Sequence, residues 1–135
     1  MRPSELKNAL VFSLENNFPL LIKGQPGIGK SEIVIQACEK LGYEYLIMHP
    51  VVSDPTDFKG MPWVVIGKNG ENEAVFIPIG DLKKLLTATK PLVVFLDDLG
   101  QATPAVQSAV MQLILARQIN GHKISEHVRF VAATN

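Results

Sequence analysis

The sequence predicts an α/β fold, a three-layer sandwich with a mainly parallel sheet between two layers of helices. Two observations carry this. The short apolar runs Leu20–Ile22, Leu92–Leu96 and Val128–Ala133 read as strands buried on both faces. Segments with helical apolar spacing separate them, which is the pattern of parallel strands joined by crossover helices. Size is compatible: 135 residues, 47% of them hydrophobic, suffice for one domain with its own core. The 13 basic and 13 acidic side chains cancel formally, which excludes a highly charged disordered chain. The same balance argues against the broad positive field of a general nucleic-acid binder, so nucleic acid is possible as a partner but not indicated.

Taken in order, Ser4 is the expected N-cap of a first helix with Leu6, Ala9, Leu10 and Leu14 on one face, stopped by Pro19. Leu20–Ile22 suits a central strand, and Lys23-Gly24 ends it. A helix is expected from about Lys30 to Leu41, with Gly42 as its stop signal. Tyr43–Met48 reads as a second strand. Pro55, Pro62 and Pro78 break up the region from Val51 to Gly80. Within that region Trp63–Ile66 and Ala74–Ile77 flank Gly67-Lys68-Asn69-Gly70, a strong hairpin turn, so an inserted β-hairpin is expected at about 62–79. Asp81 is the expected cap of a short helix over 82–89. After the strand Leu92–Leu96, Thr103-Pro104 is an N-cap with proline at the first helical position, opening a helix with Val106, Val110, Leu113 and Ile114 on one face.

The single cysteine, Cys38, is expected to be a small buried apolar residue. No apolar run comes after the N-terminus, and Leu92–Leu96 is too short to span a bilayer. These features predict a soluble, cytoplasmic protein without membrane contact.

Gly24-Gln25-Pro26-Gly27-Ile28-Gly29-Lys30-Ser31 matches the phosphate-loop pattern G-x-x-x-x-G-K-[ST] without a mismatch. Glycines allow the backbone to wrap closely, so that successive N–H groups point inward at phosphate oxygens. The helix after the loop adds its positive end. Lys30 would reach the β- and γ-phosphates and the Ser31 hydroxyl would ligate Mg²⁺. Leu92–Leu96 ends in Asp97-Asp98. Asp97 at the end of an apolar strand can hold the metal through water, and Asp98 can polarise an attacking water as a general base.

On these residues the chain resembles the AAA+ ATPases, with Gly24–Ser31 similar to their Walker A motif and Leu92–Asp98 to Walker B. Phe130-Val131-Ala132-Ala133-Thr134-Asn135 is similar to their sensor-1 strand, whose terminal polar residue faces the γ-phosphate. Asp54-Pro55-Thr56-Asp57-Phe58-Lys59-Gly60-Met61-Pro62 resembles the MoxR-like branch, as does Asp97-Asp98-Leu99-Gly100-Gln101-Ala102 with Gln107, Leu113 and Arg117-Gln118 after it. The resemblance implies a P-loop NTPase core binding ATP and Mg²⁺ and hydrolysing ATP. Lys30, Asp98 and Asn135 are then catalytic, and Ser31 and Asp97 hold the metal. It further implies a homo-oligomeric ring, often a hexamer, that remodels a protein client. Two departures stand out. The family's second Walker B acid is glutamate where this chain has Asp98, one methylene shorter. The chain also reaches Asn135 without the fifth strand and helical lid, so residues 1–135 are expected to be a partial AAA+ domain, the front part of a longer protein.

The remaining candidates have plainer readings. The only arginines are Arg2, Arg117 and Arg129. The last two are expected as surface arginines, solvated or salt-bridged, rather than contacts to a neighbour's nucleotide. His49, His122 and His127 lack metal-ligand spacing, although His49 ends the second strand and so lies near the motifs. Trp63 and Phe76 are expected to pack across the hairpin, with partner contact as the alternative. Gln101, Gln107, Gln112 and Gln118 read as the wet side of a helix. Two further functions stay open: a nucleotide-gated interaction module with little turnover, suggested by Asp98, and a small P-loop kinase, which so few arginines disfavour.

Overall fold

The computed structural model describes residues 2–24, 29–66, 69–77, 80–119 and 121–135, and for 61–65 and 73–77 the backbone alone. In chain order the elements are α1 (Pro3–Asn16), β1 (Leu20–Lys23), α2 (Lys30–Leu41), β2 (Glu44–Met48), α3 (Thr56–Lys59), β3 (Met61–Ile66) and β4 (Asn72–Ile77). They continue with α4 (Asp81–Thr87), β5 (Leu92–Leu96), α5 (Pro104–Ala116), β6 (Gln118–Ile119), β7 (His122–Lys123) and β8 (Val128–Thr134).

β5 shows why three layers form. All its residues are buried, and they alternate between two cores. Leu92, Val94 and Leu96 pack with Leu82, Leu85, Phe58, Val106, Val110 and Leu113 on one face of the sheet. Val93 and Phe95 pack with Leu10, Leu14, Val34 and Cys38 on the other. β8 divides its side chains in the same way, Phe130 to the first core and Val131 and Ala133 to the second. A strand covered on both faces has no polar side to show, which is why β5 is apolar throughout and β8 is apolar but for Arg129 and Thr134.

The main sheet is four-stranded in the order β1-β8-β5-β2, and every pairing in it is parallel. Leu96 lies level with Met48 on one side and Ala132 on the other, and Lys23 lies level with Thr134. Four chain segments therefore leave the sheet at one end: Gly24, His49, Asp97-Asp98 and Thr134-Asn135.

Several local expectations are corrected. α1 begins at Pro3, not after Ser4. Proline has no N–H to lose and a helical φ, so it takes the first helical position, and the Glu5 carboxylate accepts the Arg2 backbone N–H at 3.0 Å. β1 is an edge strand of the described sheet rather than a central one, and Leu21 is half exposed. Asp81 is the first residue of α4 rather than its cap; it pairs with Lys84 at 3.5 Å, and the helix ends at Thr87. Thr103 caps α5 as expected, accepting the Val106 N–H at 3.3 Å. The expected hairpin is present as antiparallel β3 and β4, with Trp63 level with Val75; Gly67 and Lys68 of its turn lie outside the described residues. The side chains of Trp63 and Phe76 do too.

The Asp54–Gly60 segment has a structural explanation. Asp54 Oδ1 accepts the Thr56 N–H at 3.1 Å and Asp57 Oδ2 accepts the Asp54 N–H at 2.8 Å. These bonds wind the single turn of α3, which buries Phe58 in the first core.

Cys38 is fully buried in the second core, as expected, and burial pushes its thiol up to about 11 from 9.0. A thiol that is both inaccessible and protonated does not react, since the thiolate is the nucleophile. Iodoacetamide at pH 8 is therefore expected to leave the native chain unlabelled and to label it fully in denaturant. Fast labelling of the native chain would contradict this core.

Among the described residues no helix is long and apolar enough to cross a membrane.

Candidate functional site

The site forms where the parallel strands end, as in other open α/β sheets. A cleft of about 520 Å³ is lined by Gly29, Lys30, Ser31, Glu32, Asp97, Asp98 and Asn135. Its volume lies within the range of small-molecule sites. Residues from the start of α2, the end of β5 and the end of β8 thus meet in one place, as the motifs predict.

Gly29 adopts φ 75°, a left-handed conformation that a side chain would strain, and α2 starts immediately after it. The N–H groups of the first turn of α2 lack helical partners and face the cleft with the positive end of the helix dipole. Gln25, Pro26, Gly27 and Ile28 lie outside the described residues, so the two ends of the loop are what the structure places. At its start the Gly24 N–H donates to Thr134 O at 3.1 Å, which ties the loop to β8.

Lys30 is the best-connected side chain of the site. Its ammonium donates to Gly24 O at 2.7 Å, to Asn135 Oδ1 at 2.9 Å and to Thr134 O at 3.1 Å. These three acceptors come from β1's exit and β8's end, so the cation is held at the floor of the cleft. Asn135 also turns its amide toward Asp98 Oδ1, at 3.5 Å, the outer limit of a hydrogen bond. Lys30, Asn135 and Asp98 therefore form one polar row.

Asp97 and Asp98 come directly after the last buried residue of β5, Leu96. The Asp97 N–H donates to Met48 O at 3.0 Å, continuing the sheet by one bond. Asp98 leaves it: its φ of 56° and ψ of 42° are left-handed. Asp and Asn tolerate that region better than other non-glycine residues, because a short polar side chain can bond locally. The chain then makes a 3₁₀ turn, Leu99–Gln101, before Thr103 opens α5.

His49 does lie at the site's edge, with Nδ1 3.8 Å from Asp97 Oδ2, too long for a hydrogen bond. Gln107 has a role that sequence patterning does not show. It is not merely the wet side of α5: its amide donates to Ala102 O at 3.0 Å and Gly100 O at 3.3 Å, fastening the turn after Asp98. A glutamine within one turn of an N-cap, facing back over a tight loop, is the signal that could have revealed it.

Arg117 and Arg129 are half-buried and bonded to backbone carbonyls, with no salt bridge among the described residues. Arg117 donates to Val128 O at 2.9 Å and Ser125 O at 3.1 Å and lies over the Phe130 ring. Burial, and secondly the charge of Arg129, lower its pKa. Arg129 donates to His127 O at 2.6 Å and Leu14 O at 2.8 Å and lies over Tyr43. Both pin backbone around the start of β8, and Arg129 ties it to α1 as well.

The donor set suits a hard divalent cation accompanied by phosphate. Ser31 and Asp97 offer oxygen, and no cluster of three or more His, Cys, Asp or Glu exists among the described residues to make an all-protein cage. Magnesium takes one or two protein oxygens and completes its shell with phosphate and water. The lysine, the helix N-terminus and the two acids thus fit a nucleoside triphosphate with Mg²⁺.

Comparison with known proteins agrees with this geometry. No curated protein matches the chain. Among solved structures, a mutant form of RuvB from Thermotoga maritima superposes with a TM-score of 0.64 at 18% identity, covering 100% of this chain and 40% of that one. An ATPase candidate from Cytophaga hutchinsonii gives 0.60 at 14% identity, covering 98% and 38%. NtrX from Brucella abortus gives 0.59 at 13%, covering 97% and 30%. The chain therefore spans less than half the length of each. At these identities the likeness establishes the fold, that of AAA+ P-loop proteins. Sequence establishes the family, because the pattern of the AAA domain, dynein-related subfamily, matches residues 19–135. The chain belongs to that family of AAA domains, whose common property is nucleotide binding.

Proposed function

We propose that this chain binds ATP with Mg²⁺ in the cleft between α2, β5 and β8 and hydrolyses it. The carrying observation is the convergence of Lys30, Ser31, Asp97, Asp98 and Asn135 on that cleft at the N-terminus of α2. Lys30 and the α2 N-terminus bind the β- and γ-phosphates, with Gly24–Gly29 wrapping them. Ser31 and Asp97 hold Mg²⁺, which supplies charge neutralisation between the phosphates. Asp98 takes the proton of the attacking water, and Asn135 positions that water or the γ-phosphate. Catalysis of this kind is mainly positioning and electrostatics, which a rigid strand end provides.

By likeness to the MoxR-like branch, turnover would be coupled to remodelling of a protein client in the cytoplasm by a homo-oligomeric ring, a hexamer in the favoured reading. RuvB, whose structures superpose on this fold, is described as a Holliday junction branch migration motor. The neutral charge balance favours a protein client over nucleic acid. The kinase alternative loses ground, because no arginine lines the cleft among the described residues and Arg117 and Arg129 are bound elsewhere. The gated-binder alternative keeps one specific observation, the left-handed Asp98 turned toward Asn135.

Titration of the chain with a fluorescent ATP analogue tests the site. Saturable binding that strengthens with Mg²⁺ is expected. Absence of binding by a chain shown to be folded by circular dichroism would refute the proposal.

A further inference from the structure

The turn after Asp98 is pressed against the end of β8 at one point. A β-carbon built on Gly100 would fall well inside contact distance of Thr134 Oγ1 and 3.4 Å from Thr134 Cβ. Gly100 has no unusual backbone conformation to explain its being glycine; the constraint is space alone. The turn cannot back away cheaply. Leu99 packs into the first core, and Gln107 holds Gly100 O and Ala102 O from the side of α5. On the other side of the contact, Thr134 is equally committed. Its carbonyl accepts both the Gly24 N–H and the Lys30 ammonium, and its successor Asn135 bonds Lys30.

We infer that the Gly100–Thr134 contact is a positioning device for hydrolysis, a spacer of minimum thickness between the acids and the phosphate-binding lysine. It rests on the hydrolytic function proposed for the cleft. Gly100 and Thr134 themselves touch no substrate. They fix the distance between the turn that carries Asp98 and the strand end that carries Lys30's acceptors. One added methyl group at residue 100 must turn Thr134 about χ1, which is stiff for a β-branched side chain, or displace one of the two segments, and a displacement near 1 Å between reacting groups costs about a hundredfold in rate. The contact meets the binding machinery only through the Thr134 backbone; among the described residues no atom of Gly29 or of the start of α2 lies within 4 Å of the added β-carbon, so ground-state binding of ATP is expected to change little. A defect confined to the transition state lowers kcat and leaves KM unchanged.

The test is Gly100→Ala in the full-length protein, alone and combined with Thr134→Ala. Gly100→Ala is expected to lower kcat by about tenfold to a hundredfold with KM for ATP within about twofold. Adding Thr134→Ala removes the oxygen that the new methyl meets, so most of the lost kcat is expected to return. Native kcat in Gly100→Ala, or a double variant as slow as the single one, overturns the inference. Should Gly100→Ala not fold, Gln107→Leu releases the turn from the other side and is expected to lower kcat with KM unchanged; unchanged kcat there also overturns it. A native protein that binds ATP and never hydrolyses it defeats the hydrolytic reading instead. The inference falls with that reading, whereas native hydrolysis left unchanged by Gly100→Ala overturns the inference alone.

Discussion

Lys30→Ala is expected to abolish detectable ATP binding by this chain and to lower turnover of the full-length protein by about a hundredfold or more. The ammonium is the only cation lining the cleft among the described residues, and Glu32, Asp97 and Asp98 make the rest of the rim acidic. A triphosphate entering without it would meet carboxylates with only the helix end and its accompanying Mg²⁺ as compensation. Stability should barely change. The acceptors that Lys30 leaves behind, Gly24 O, Thr134 O and Asn135 Oδ1, border an open cleft where water replaces the lost donors. Lys30→Arg should not restore binding fully, because a larger planar guanidinium does not reproduce a compact ammonium bonded to three acceptors at once. Circular dichroism and a binding titration on the same sample separate the two effects. Undiminished hydrolysis in Lys30→Ala would refute the assigned site.

The reach of the sequence depends on whether a feature is set locally or by distant packing. β5 is legible because burial on both faces leaves a run with no polar side, β8 because only Arg129 interrupts such a run before Thr134, and the α2 boundaries because Gly29 and Gly42 bracket it in left-handed conformations. The site residues are legible because the motif fixes their chain order and a parallel sheet brings the strand ends together. Features set by tertiary packing are not. β1 looks central from its apolar run, yet its position in the sheet depends on its neighbours, and it is an edge among the described strands. α3, β6 and β7 are too short to show a period. The duties of Arg117 and Arg129 depend on carbonyls of Leu14, Ser125, His127 and Val128, which local spacing does not expose. Gly100 has the look of an ordinary turn glycine, and only the fold brings Thr134 against it.

The second large effect concerns Asp98. Asp98→Asn is expected to lower turnover by about a hundredfold to ten-thousandfold while leaving ATP affinity within a few fold. Asparagine keeps the side-chain oxygen that faces Asn135 and accepts a left-handed φ of 56° as readily as aspartate does. Shape and stability are thereby preserved and only the base is lost, so the thermal midpoint should move little. Asp98→Glu is the informative contrast. A glutamate gains one methylene of reach, but at a left-handed position it costs about 1 kcal/mol of backbone strain. The backbone conformation and the aspartate thus fit one another, and the native residue is expected to be the better base here. Single-turnover hydrolysis by the full-length native, Asp98→Asn and Asp98→Glu proteins distinguishes the readings. Brisk native turnover that falls in both variants supports a hydrolase built around the shorter acid. Slow native turnover that rises sharply in Asp98→Glu supports the nucleotide-gated module, with the native residue set back from the water that a longer carboxylate reaches.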